Sequence, residues 1–152
     1  MLALAIMIGL VLSLLFVDSF GLAAGGMVVP GYIALFMDKP ARIMFTLIAA
    51  FLALYTLKFF SSFALIYGRR RIVLLILLGF LYGYLLRYLI QTEATSLALV
   101  LDPVGFIIPG LIAYWMERQG ILETISAMTI VATIARLILI IINGGKPIEV
   151  AF

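Results

Sequence analysis

The chain alternates long uncharged runs with short polar breaks. Residues 1–17 carry no charge, Asp18 interrupts, and residues 19–37 are again uncharged. Residues 43–68 are broken only by Lys58, residues 72–86 lead to Arg87, and residues 121–142 contain Glu123 and Arg136. A hydrocarbon core takes roughly 20 residues of helix at 1.5 Å per residue, so four of these runs are long enough to span. The predicted long helices cover about residues 2–17, 42–67, 72–90 and 121–142. The segment 91–102 is the most polar and reads as an exposed linker, and the tail 144–152, with two glycines and a proline, reads as loosely ordered.

One stretch is written twice. Residues 26–38 read GMVVPGYIALFMD, and seventy-nine positions later residues 105–117 read GFIIPGLIAYWME. Pro30 and Gly31 coincide with Pro109 and Gly110, inside a shared frame set by Gly26 and Gly105. Asp38 matches Glu117 in charge. In an apolar chain, matched Ile or Ala means little, but a Pro-Gly pair inside a glycine frame points to an internal repeat. Repeat 1 covers about residues 2–67 and repeat 2 about residues 72–143, in one transmembrane domain, 1–152. Each is a helix, a broken Pro-Gly element and a helix.

Proline suits the first turn of a helix, and the residue before it avoids the helical region. Residues 28–29 are therefore expected to approach in extended form and residues 32–37 to form a short helix. A limb of about five residues and a helix of about eight reach roughly half a bilayer. That makes a re-entrant hairpin, with four spans and parallel repeats; a full crossing would give inverted repeats instead. Asp102 makes the second copy a poorer span, and the re-entrant form is the expectation taken here. Gly79 and Gly83 stand in a G-x-x-x-G spacing that permits close helix packing.

Composition agrees with a membrane protein: 66% of the 152 residues are hydrophobic and 11% are charged. Residues 1–17 lack the basic start and small-residue cleavage site of a secretory signal, and are read as a retained helix. The net charge is only +3, and its placement matters more than its size. Arg69, Arg70 and Arg71 form the strongest topology mark and belong at a cytoplasmic edge. They are either a docking surface, a phospholipid contact or a plain topology anchor.

Recognisable catalytic chemistry is sparse. There is no cysteine for a thiolate site and no histidine for a metal or general base. Gly144, Gly145 and Lys146 are followed by Pro147, so they do not make a phosphate-binding loop. No metal or cofactor site is expected. The seven acidic residues are scattered near predicted membrane edges, where solvation accounts for them.

A helix opening at Pro30 or Pro109 leaves free N–H groups and a positive dipole end at membrane depth, which attract anions. The plainer reading is a packing kink. Lys58 and Arg136 each lie well inside the last helix of a repeat, where a charge faces a bundle interior, lines a wet cavity or snorkels to an interface. Pro30, Gly31, Tyr32, Pro109, Gly110, Lys58 and Arg136 are thus candidates for lining one anion path.

The motifs V-V-P-G-Y (28–32), Y-G-R-R (67–70), I-P-G-L-I-A (108–113) and R-Q-G (118–120) come in this order. In order and spacing, the chain resembles the PgsC/CapC family, small membrane subunits of bacterial poly-γ-glutamate synthesis complexes, from residue 10 to about 143. The resemblance implies an inner-membrane subunit, not catalytic alone, that anchors an ATP-dependent amide ligase and conducts or merely serves the polymer. The implied partners are a PgsB/CapB-like ligase subunit, a PgsA/CapA-like subunit, poly-γ-glutamate and the lipid bilayer, with no nucleic acid. The competing reading is an independent transporter of small solutes or anions.

Overall fold

The computed structural model describes residues 2–63, 68–93 and 105–145. Most of the predicted linker and the tail beyond Gly145 lie outside them. The described residues form α1 (Leu2–Phe20), α2 (Val29–Phe36), α3 (Pro40–Phe63), α4 (Arg69–Glu93), α5 (Ile108–Gln119) and α6 (Ile121–Ile142). Ala3–Phe20, Pro40–Phe63, Arg69–Leu89 and Ile121–Ile142 are long and apolar enough to cross a membrane. The protein is an all-helical, polytopic membrane protein.

Two local expectations are corrected. Val29, expected to be extended ahead of Pro30, is already helical, and Val28 caps α2 with φ −92° and ψ −28°. Isolated sterics before proline yield here to burial, because Val29 is a fully buried core residue. The three arginines, which precede a helix expected to start at residue 72, open α4 itself. The glycine frame has a conformational reason: Gly26 (φ +120°) and Gly105 (φ +66°) turn the chain into the two short helices.

Tertiary contacts settle the path of each Pro-Gly segment. Ser13 on α1 donates to the Gly26 carbonyl at 3.5 Å. Further along, Gly31 lies against the backbone of Ala5 and Ile6. The chain therefore runs back beside α1 from its C-terminal end towards its N-terminal end. In the second half Phe106 lies by Phe80 and Gly83, Gly110 against Leu75 and Ile76, and Glu117 reaches Arg71. That segment runs back along α4 in the same manner.

The two halves have opposite senses. Gln119, at the end of α5, binds Ala23 just beyond α1. Asp38, just beyond α2, binds Arg136 near the end of α6. One end of the bundle thus holds the exit of α1, the start of α4 and the end of α5. The other holds the start of α1, the end of α2 and the end of α6. The parallel, re-entrant expectation is corrected accordingly: Asp38 and Arg118 lie at opposite ends. In the first half limb and short helix together run beside α1 from its exit to its start, and α5 has 12 residues rather than the eight anticipated.

Packing crosses between the halves. The second long helix, α3, packs on α5, and α6 packs on α2, while α2 and α5 meet at the centre. Small residues permit this: Ala49, Ala50 and Ala53 on α3, and Ala127, Ala132 and Ala135 on α6, are fully buried. In lipid such close packing, rather than expulsion of water, supplies helix association. Val29, Ile33, Leu57, Leu75, Ile112 and Met128 fill the main core. Met7, Val11, Val73, Leu77 and Ile141 point outward, as lipid-facing positions should.

Candidate functional site

The starts of both short helices are built into the centre of the bundle. Pro30, Gly31, Pro109 and Gly110 are all buried. A Cβ added to Gly9 would stand 2.5 Å from the Gly31 Cα, and one added to Gly79 would stand 2.3 Å from the Gly110 nitrogen. Four of the proposed path residues are therefore held in backbone-to-backbone contact with α1 and α4. Beside them lies a cavity of about 370 Å³, lined by Val28, which caps α2, by Tyr32 of α2 and by residues 105–108 and Leu111 around α5. Its wall is mostly apolar, and the positive ends of two helices converge on it.

The two cations predicted to share a path stand in different surroundings. Lys58 is exposed on α3, towards the end where α4 starts. Arg136 is buried on α6, towards the opposite end. Arg136 donates to the carbonyls of Ala34 (3.1 Å) and Leu35 (3.5 Å) and pairs with Asp38. Those carbonyls belong to the last turn of α2, which has no intrahelical partners for them and carries the negative dipole end. One guanidinium thus satisfies a helix terminus and a carboxylate together.

The arginine end is organised around a second ion pair. Arg71 meets Glu117 at 2.5 Å, with only 13% of the Glu117 side chain exposed. Each charge opposes its own helix dipole, Arg71 at the start of α4 and Glu117 at the end of α5, so each offsets the other. Arg69 and Arg70 are exposed. Arg118 donates to the Tyr114 hydroxyl at 3.0 Å and lies over the Trp115 ring at 5.6 Å. Among the described residues no three His, Cys, Asp or Glu side chains gather as a metal site.

Sequence reasoning missed Gly9, the ion pairs of Asp38 and Glu117, and the clamp made by Gln119. Asp38 and Glu117 did carry a signal, since both close the repeated stretch. Gly9 is the lone glycine inside α1, while Gln119 was legible only as the middle of the R-Q-G motif, with nothing to indicate its partner.

The family model for capsule biosynthesis CapC matches residues 8–125. The chain belongs to the CapC family. Among its relatives, the PGA biosynthesis protein CapC of Bacillus subtilis (strain 168) is 31% identical over 121 residues, 79% of this chain and 80% of the relative. The capsule biosynthesis protein CapC of Bacillus anthracis is 33% identical over 125 residues, 80% of this chain and 81% of the relative. The CapC match spans α1 to the first turns of α6, so it includes both Pro-Gly segments and both ends of the bundle. No solved structure matches the chain.

Proposed function

We propose that this chain is the non-catalytic, inner-membrane subunit of a poly-γ-glutamate synthesis and export machine. Its primary task is to hold an ATP-dependent, PgsB/CapB-like amide ligase at the membrane beside a PgsA/CapA-like subunit. Membership of the CapC family, with relatives named for PGA and capsule biosynthesis, is the observation that carries this reading. The bundle supports a scaffold: its short helices are locked against their neighbours, and its buried cation is already paired. The arginine end faces the cytoplasm in this reading, because clustered Arg marks that side. Arg70, exposed and without a carboxylate partner among the described residues, is the ligase contact.

Co-purification tests it. A tagged chain is expected to bring down the ligase subunit from its own cells, and Arg70→Gln is expected to weaken that capture without altering insertion. Reproducible failure of the unaltered chain to capture a ligase would sink the proposal and leave an independent transporter.

A second reading rests on the cavity between the two short-helix starts. Two positive helix ends at one cavity would favour a carboxylated polymer passing there, with Tyr32 in its wall. Tyr32→Ala is the test: a conduit loses surface polymer while ligase capture stays intact.

A further inference from the structure

At the arginine end two cavities share one residue. The first, about 420 Å³, takes Arg69, Arg71, Tyr114, Glu117 and Arg118 into its wall. The second, also about 420 Å³, lies between Arg69, Arg70, Val73 and Leu74. The first sets three guanidinium groups and one carboxylate in an otherwise largely apolar wall, and is cationic. The second is a groove whose wall is almost wholly apolar, reaching one helical turn into the long apolar helix α4.

The charges in the first cavity do not cancel. Glu117 is committed to Arg71, and Glu123 at the start of α6 is folded against Gly120. Among the described residues neither Arg69 nor Arg118 has a carboxylate partner. Arg118 is held in place by the Tyr114 hydroxyl and the Trp115 ring, so its guanidinium is oriented before any ligand arrives. Tyr and Trp are residues of the headgroup level, where one face is apolar and the tip is wet.

We infer that Arg69 and Arg118 bind the phosphate of an anionic glycerophospholipid, one of whose acyl chains lies in the groove along Val73 and Leu74. A free phosphate or a protein carboxylate would use only the first cavity. A zwitterionic lipid fits both in shape but brings a second cation towards two guanidinium groups. A headgroup of net negative charge meets both requirements. Binding here fixes the depth of the arginine end in the bilayer, and it does not depend on the function proposed above.

The experiment uses the full chain in a non-ionic detergent, followed by native mass spectrometry. The probes are phosphatidylglycerol, phosphatidylcholine with the same acyl chains, and inorganic phosphate. Retention of phosphatidylglycerol over phosphatidylcholine is expected, and Arg69→Gln with Arg118→Gln should weaken it roughly thirtyfold. Both side chains are exposed and lie outside the packed core, and helicity measured by circular dichroism should not change. Should the double variant lose helicity, Arg69→Gln alone is the comparison, with a loss of roughly fivefold expected. Val73→Trp fills the groove without touching a charge and should also reduce lipid retention.

Equal retention of the two lipids, or undiminished phosphatidylglycerol binding in a folded arginine variant, overturns the inference. Phosphate that competes as well as the lipid, with Val73→Trp silent, leaves an anion site only and overturns it too. Loss of a captured protein without loss of lipid assigns the arginines to protein docking instead.

Discussion

Gly79 lies so close to Gly110 that a Cβ on the first would stand 2.3 Å from the backbone nitrogen of the second. The same closeness joins Gly9 to Gly31. In both pairs the obstacle is backbone, which cannot turn aside as a side chain can. Gly79→Ala and Gly9→Ala are each expected to force the helices apart and cost about 1–3 kcal/mol. Thermal unfolding in detergent should show the loss. Gly83→Ala is the internal control, since among the described residues its added Cβ would meet only the Phe106 ring, at 3.9 Å. A Gly83→Ala melting point as low as that of Gly79→Ala would contradict this packing.

The opposed senses of the two halves give a direct labelling test. Asp38→Cys and Arg118→Cys can be made one at a time in a chain that has no cysteine of its own. Each site lies at a different end of the bundle, so a membrane-impermeant maleimide applied to intact cells should label one and spare the other. Labelling of both from outside would restore parallel hairpins. Asp38→Cys also removes the partner of Arg136, so Lys39→Cys, next in sequence, is the companion site.

The long helices were legible because an uncharged run of about 20 residues has few alternatives in a membrane protein. The special character of the Pro-Gly segments was legible too, since Gly26, Pro30 and Gly31 each imply a particular backbone. Their direction was not. It is set by Ser13 meeting Gly26 and Glu117 meeting Arg71, contacts between residues far apart or of ordinary type. Lys58 and Arg136 occupy similar places in sequence, yet one is exposed and the other buried. Which face of a helix meets a neighbour is decided by packing partners, and an apolar helix gives little periodic signal of it.

Gln119 is expected to matter more than its type suggests. Its amide accepts from the Ala23 N–H at 2.9 Å and donates to the Ala23 carbonyl at 2.5 Å and to the Thr124 hydroxyl at 3.1 Å. Ala23 is buried in the limb after α1, where its backbone groups have no helix to serve them. Gln119→Ala leaves both orphaned, at about 1–3 kcal/mol for each unsatisfied group. Hydrogen exchange should show faster opening of residues 21–28 than of α3. Unchanged exchange there would mean that water replaces the clamp.

The last prediction separates the two cations by function. Asp38→Asn leaves Arg136 buried with neutral acceptors alone and no counter-charge. Loss of one member of a fully buried pair costs about 3–5 kcal/mol, but the Asp38 side chain is 53% exposed, so about 1–3 kcal/mol is expected. Arg136→Met removes the charge yet abandons the carbonyls of Ala34 and Leu35, and should also lower the melting point. Lys58→Met changes an exposed side chain at the other end of the bundle, and stability should stay within about 0.5 kcal/mol. Surface polymer, measured in cells at matched protein level, then decides between scaffold and conduit. For a scaffold, polymer follows folding: reduced in Arg136→Met, normal in Lys58→Met. Polymer lost in a Lys58→Met protein that folds and still captures its ligase would place Lys58 on the polymer's route. A packing argument would not then account for the loss, because Lys58 is exposed and none of the ion pairs among the described residues involves it.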